Sequence, residues 1–500
     1  MSNRAQRGAV RVAVVGAGPK ALYAVESLAR RARPGLSVDV YDPRPPGEGA
    51  AYAIDQPPWL RLNVASSVVE GFDAWRLTQG ERPPLDPFPT RALLGRHLAR
   101  RWALLDAVPL LALRHVRREV HSVEPAASGW AVDGEEYDEV LLATGHASAS
   151  PDALAHDWHG PQPLVAQVYP VSALDAVSPG TTVAVRGAGL TFIDATLTLT
   201  EGRGGRFSGP FDSPSYRSGG EEPASIRPTA RRGRFMAVKP QPGSRAATLL
   251  PLPMRDAGLR AVLTAGDADE ALAVVPDLAR ELVGVAGGDP RSVAEILAGE
   301  HAETDPVAAL RRSLAVATDR AAPDATWALG RVWLALHPAM VARFSLGGGR
   351  DFEPFSEVAR RLGPLTWGPP PVNAAKLLAL LDVGLVDASS LTLDVIEASG
   401  HRGPVRADVV VDAVLPGPGV VTGSATLPGR LVDAGILGTC PGRRGVAHAA
   451  DGTALSPDRE AVEGLAIVGR PTEDVTVGND NLDPTLHPAV IRWATRVTSG

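Results

Sequence analysis

Gly16, Gly18 and Ala21 stand in the stretch VVGAGPKAL at a GxGxxA spacing. Small residues so placed suit the docking of a pyrophosphate. Gly16 permits a tight turn, Gly18 lets the backbone approach the phosphates, and Ala21 lets a helix lie close on its sheet. The helix N-terminus then offers N–H groups to the negative charge. Asp42, about 20 residues further on, would accept hydrogen bonds from a ribose. A second spacing, Gly187 and Gly189 in VAVRGAGLTFIDA, points to another nucleotide. Phe192 holds its third small position, so that helix cannot approach its sheet as closely. Asp194 falls in the first turns of the same helix, where the dipole favours an acid. No acid closes the strand that follows; Arg203, Arg206, Arg217, Arg231 and Arg232 are scattered downstream. Guanidinium groups suit a ribose 2′-phosphate, which favours NADPH over NADH.

Each glycine pair needs a strand before it and a helix after it. Residues 11–15 (RVAVV) form a short apolar run of the kind a buried parallel strand shows. Ala21, Leu22, Val25, Leu28 and Ala29 then share one helix face, and Leu36–Tyr41 is a second apolar strand. The second unit repeats this, with a strand at Thr182–Val185 and a helix through Ile193, Ala195, Leu197 and Leu199. Between the units, YDEVLLATGHAS reads as a buried strand ending in Ala143-Thr144-Gly145. From about 255 to 390, apolar residues recur near 3.6 spacing, as in EALAVVPDLARELVGVAG. These helices would cap an active site or form a structural or dimerisation layer, so a homodimer is compatible with the sequence.

Composition narrows the field. Five hundred residues exceed one ordinary core. A net charge of −6 argues against nucleic acid as the main partner. No apolar run reaches the ~18–20 residues of a membrane span, and the N-terminus lacks a signal-peptide core. Cys440 is the single cysteine, which excludes an internal disulfide and a redox CxxC pair and makes a cytoplasmic setting the expectation. No metal-ligand spacing is present.

The segments VVGAGPKAL, GEGAAYAIDQPPWLRLNVAS, DPFPTRALLGRHL, LLATGH and VAVRGAGLTFIDA, with YRSGGEEP, ARRGRFMAVKP and LAIVGRPTEDVTVGNDNLDPTLHP, resemble the FAD-NAD(P)-binding family of two-dinucleotide-binding-domain flavoproteins, related to N-hydroxylating flavin monooxygenases. The resemblance implies an α/β fold with two Rossmann-like dinucleotide-binding domains. The FAD domain would span 8–150 and 426–500, the NAD(P)H domain 165–255 and 391–425, with a helical insertion at 256–390. FAD would meet Gly16, Gly18, Pro19, Lys20, Asp42, Asn63, Thr144, Gly145, Gly469, Asn479 and Asp480. NADPH would meet Gly187, Gly189, Thr191, Arg217, Ser218, Arg231 and Arg232. Asn63 would approach the isoalloxazine, and His146 is a candidate for moving protons beside it. Gly469 is followed by Arg470 where such flavoproteins often carry Gly-Asp, a departure at the ribityl contact.

Two nucleotide sites imply hydride transfer from NADPH to FAD. Without paired cysteines, oxygen is the best internal acceptor, and reduced flavin with O2 gives a C4a-hydroperoxide that transfers an oxygen atom to a nucleophile. The resemblance makes that nucleophile the amine of a small amino acid. L-aspartate is a candidate, since some relatives in natural-product biosynthesis oxidise its amine. The amine must be unprotonated, and its carboxylate calls for an arginine, with Arg61, Arg91, Arg443 and Arg444 as candidates. Oxygenation of carbon or sulfur, a flavoprotein reductase and a non-catalytic nucleotide-binding protein are the competing expectations.

Overall fold

The computed structural model describes residues 10–146, 153–300, 303–346, 351–394, 407–479 and 481–499. Asp480 lies outside them. The chain begins with β1 (Val10–Val15), β2 (Leu36–Tyr41) and β3 (Leu111–Val116). An antiparallel meander follows, β4 (Val123–Pro125), β5 (Trp130–Val132) and β6 (Glu135–Tyr137), and then β7 (Glu139–Leu142). A second run holds β8 (Leu164–Val165), β9 (Thr182–Arg186), the hairpin β10 (Arg206–Ser208) with β11 (Ser215–Arg217), and β12 (Ser225–Thr229). β13 (Val409–Asp412), β14 (Thr453–Leu455) and β15 (Ala461–Ile467) come after the helical region.

Two sheets result, and the fold is α/β. The first has the order β14-β15-β7-β1-β2-β3, parallel except for the β14 edge. The second has the order β12-β9-β13-β8, all parallel. Parallel strands need crossovers, and helices on both faces make their strands apolar throughout. In β1, Val12 and Val14 enter one core with the helices Pro19–Ala29, Arg91–Leu105 and Ala489–Ser499. Ala13 and Val15 enter another core on the opposite face, as the period of two requires. In β9, Val183 and Val185 face one core and Ala184 another.

In each sheet the chain leaves one strand on one side and later returns on the other. From β1 it passes to β2 and afterwards to β7; from β9 it passes to β12 and afterwards to β13. Ligands of such sheets bind beyond the strands' carboxyl ends at that switch point. The helices Leu252–Thr264, Ala268–Ala286, Ala325–Phe344 and Phe352–Thr366 build a separate core around Trp333. Asp267 and Asp324 cap two of them, accepting from the Glu270 and Trp327 amides. Pro306–Ala317 and Pro371–Asp382 instead send Leu310, Leu314 and Leu377 into the core of the second sheet. Among the described residues no helix is long and apolar enough to cross a membrane.

Candidate active site

Gly16 follows β1 with φ +101°, a conformation L side chains rarely adopt. A Cβ there would lie 2.3 Å from the Ala143 carbonyl oxygen just beyond β7. Gly18 starts the helix Pro19–Ala29, which has no side-chain cap. Within 4 Å of a Cβ on Gly18 stands only the Gly49 Cα, at 3.7 Å. The Gly47 amide donates to Ala17 O at 2.7 Å, so the turn of Gly47 and Gly49 lies beside the helix start. The buried Asp42 carboxylate accepts from the amides of Ala17 at 3.0 Å and Arg44 at 2.9 Å. It therefore fixes the glycine turn.

The closing segment returns to this crevice. A Cβ on Gly469 would stand 3.5 Å from Lys20 Cγ, and the Tyr23 hydroxyl donates to Leu482 O at 2.9 Å. Asn479 is buried and engaged, its Nδ2 donating to the Thr472 hydroxyl at 2.5 Å and the Thr476 hydroxyl at 3.2 Å. Asn63 is half-buried after Leu62, whose amide donates to Pro89 O at 2.9 Å. Thr144 is half-buried, and Gly145 and His146 are exposed beyond β7.

The second glycine turn repeats the first. Gly187 has φ +109°, and a Cβ on it would lie 3.3 Å from Ala413 O, just beyond β13. Gly189 starts the uncapped helix Leu190–Leu199, with Thr191 buried in its first turn. Phe192 is fully buried and stacks on Phe235 with ring centres 6.3 Å apart. Arg231 and Arg232 follow the carboxyl end of β12, on the edge where Gly187 stands.

Arg217 and Ser218 do not join them. The Ser218 hydroxyl donates to the Glu222 carboxylate at 2.7 Å, and the Gly180 amide donates to Glu222 O at 2.8 Å, two residues before β9 begins. That is the amino edge of the sheet, opposite the glycine turn. Both residues are therefore withdrawn from the nucleotide site.

None of the four arginines expected to take a substrate carboxylate lines the cavity described below, and three of them are engaged elsewhere. Arg61 pairs with Asp86 at 2.7 Å. Arg91 pairs with Asp194 at 2.5 Å and donates to the Tyr169 hydroxyl at 3.2 Å, and Tyr169 itself donates to Asp194. Burial works against the Arg91 charge, yet Asp194 and Tyr169 hold the guanidinium above its usual range. Asp194 thus joins the two folds, beside a bond from Trp59 Nε1 to the Thr198 hydroxyl at 2.9 Å. Arg443 donates to Asp474 O at 3.1 Å and lies 3.8 Å from the centre of the Phe352 ring. The Arg444 guanidinium lies against Gly417, 2.1 Å from where a Cβ would stand.

A cavity of about 2080 Å³ opens beside the second glycine turn, and the first glycine turn is not part of its lining. Val64, Ala65 and Phe88 of the first fold, Gly187 and Gly189 of the second, Trp327, Arg331 and His337 of the helices, and Asn481 and Asp483 of the closing segment all line it. Arginines outnumber carboxylates along its wall. Lys239 and Arg331 are the cations the sequence did not reveal: their lack of an acidic neighbour arises only on folding.

Residues 13–147 match the FAD-NAD(P)-binding family model. The matched residues take in the end of β1, its glycine turn, Asp42 and Asn63. An L-aspartate N-monooxygenase (nitrosuccinate-forming) of Streptomyces davaonensis is 28% identical over 344 residues, 54% of this chain and 51% of that protein. A nitrosuccinic acid synthase of Aspergillus oryzae is 31% identical over 253 residues, 42% of this chain and 38% of that protein. The chain thus spans about half, or less, of the length of these curated relatives. An open crystal structure of cyclohexanone monooxygenase aligns with a TM-score of 0.45 at 15% identity, over 98% of this chain and 88% of that one.

The first crevice fits FAD on its own geometry. It combines an uncapped helix start, a backbone approach that a Cβ at Gly16 would close, and open space beside Gly18.

Proposed function

We propose that this chain is an NADPH-consuming, FAD-dependent monooxygenase that N-hydroxylates the amine of a small amino acid, L-aspartate being the candidate. The observation that carries the reading is the shared cavity: one wall holds the second glycine turn, another the loop of the first fold, and a helical layer lines a third. The names of the relatives supply the reaction class, and the cationic wall suits an acidic substrate. A discontinuous FAD domain and an NAD(P)H domain interrupted by helices belong to the same proposal, as does a reducing, cytoplasmic setting for a chain with one cysteine.

Gly16, Gly18 and the helix from Pro19 would hold the FAD pyrophosphate, with Asp42 at the ribose. When bound, FAD supplies hydride acceptance and the activation of O2. The chain's own residues do the rest. Gly187, Gly189 and the Leu190–Leu199 helix start receive the second pyrophosphate. Arg231 and Arg232 stand at the strand end where a 2′-phosphate would lie. The helical layer covers one side of the cavity and would limit the access of water there when FAD is bound. Cations near the amine disfavour its protonated form and leave the lone pair available for attack.

An amino-acid panel tests this. The purified yellow protein is expected to consume NADPH and O2 faster with L-aspartate and to form a hydroxylamine. Equal NADPH consumption with and without every amine, all of it yielding hydrogen peroxide, would defeat the proposal. Oxygenation of a ketone or thioether instead would move the chain to the carbon or sulfur class.

A further inference from the structure

Most cations along the cavity are engaged. Arg186 pairs with Asp412 at 3.0 Å, Arg312 with Asp324 at 3.0 Å and Arg361 with Glu357 at 2.5 Å. Two partly buried ones differ. Lys239 Nζ lies 5.3 Å from the centre of the Trp367 ring, and burial pulls its ammonium down to about 8. Arg331 has a buried Nε without a hydrogen-bond partner among the described residues. Burial and the nearby Arg255 hold its guanidinium below the usual range.

One turn is flanked by the segments that carry both. The Lys239 amide donates to Pro369 O at 3.0 Å, and the Ala237 amide donates to Pro364 O at 2.9 Å. Gly330, beside Arg331, packs so closely that a Cβ would stand 2.2 Å from Leu365 O. The segment leading to Lys239 and the helix carrying Arg331 therefore both flank the turn at 364–369, with Trp367 on it. Buried cations without counter-ions are costly, so an anion is the occupant this arrangement fits. The proposed function assigns the second glycine turn and Arg231 to the phosphates of a nucleotide, whereas Arg331 lies on the helical layer.

We propose that Lys239 and Arg331 clamp the two carboxylates of a dicarboxylic amino-acid substrate, with the Trp367 ring beside Lys239. The clamp rests on the N-monooxygenase reading and names its specificity residues. Two cations for two carboxylates would leave the substrate amine as the group directed at the oxidising centre, and would reject the corresponding amide.

Calorimetric titration of the FAD-loaded protein without NADPH separates binding from turnover. L-aspartate is expected to bind more tightly than L-asparagine. Lys239→Met and Arg331→Met should each weaken aspartate about tenfold or more, with Arg331→Lys retaining part of the affinity and the KM for NADPH unchanged. Equal wild-type affinity for aspartate and asparagine would overturn the clamp, whatever the variants do. So would variants that keep their flavin and bind aspartate as before, or that lose NADPH affinity instead. Aspartate N-oxygenation with unaltered variant affinities would remove the clamp and leave the reaction standing. Clamp-dependent aspartate binding without N-oxygenation would do the reverse.

Discussion

Asp194→Leu tests how the two dinucleotide folds are held together. Arg91 begins a helix of the first fold, and Asp194 lies on the helix that follows the second glycine turn. Their side chains are 18% and 3% exposed and meet at 2.5 Å. Removing the acid strands a guanidinium that cannot deprotonate and takes an acceptor from the Tyr169 hydroxyl. Breaking a buried pair from one side costs about 3–5 kcal/mol. Water reaching the exposed part of Arg91 puts the expected loss at the lower end, about 3 kcal/mol. Replacing both partners, Arg91→Met with Asp194→Leu, removes the stranded charge and should be close to neutral. Urea unfolding of the wild type, both single variants and the double variant reads the coupling directly. The KM for NADPH should rise in the single variants, because Asp194 sits on the helix whose start receives that nucleotide. A loss below about 1 kcal/mol in Asp194→Leu, within the range of a surface pair, would refute the reasoning. So would a double variant as unstable as the sum of the singles.

Gly16→Ala should give a protein largely free of flavin, since φ is +101° and the new Cβ would meet Ala143 O at 2.3 Å; the flavin-to-protein absorbance ratio reads this. Arg231→Ala and Arg232→Ala should each raise the KM for NADPH about tenfold and leave that for NADH unaltered, whereas Arg217→Ala should change neither. Burial pulls His97 from its ordinary 6.5 down to about 4, so it stays neutral in the folded chain. The unfolded chain then takes up the proton first. Stability should be complete above pH 6.5 and decline as the pH falls toward 4, and His97→Gln should flatten that part of the urea-midpoint profile.

The glycine turns were legible because their chemistry is local. A tight turn between an apolar strand and a helix at Gly16 or Gly187 needs no distant residue to declare itself. The placement of Arg231 and Arg232 at a strand's carboxyl end was legible for a related reason, since they follow the strand next after the second turn. Arg217 and Ser218 were misplaced because spacing does not show that a hairpin carries them to the amino edge of the sheet. Arg61 and Arg91 were misread because Asp86 and Asp194 come to them only in the folded chain. Lys239 and Arg331 show the converse, because nothing in their neighbouring residues signals burial without a counter-ion. The 3.6 periodicity marked the helices from 255 to 390. It did not show that Pro306–Ala317 and Pro371–Asp382 cover the second sheet while the others form a core of their own.

Turnover of L-aspartate under 18O2 with NADPH tests the central claim most directly. The account predicts that the heavy isotope appears on the nitrogen of the product, with NADPH and O2 consumed together and only when the amine is present. Label recovered wholly in hydrogen peroxide, at a rate indifferent to any amino acid, would contradict it.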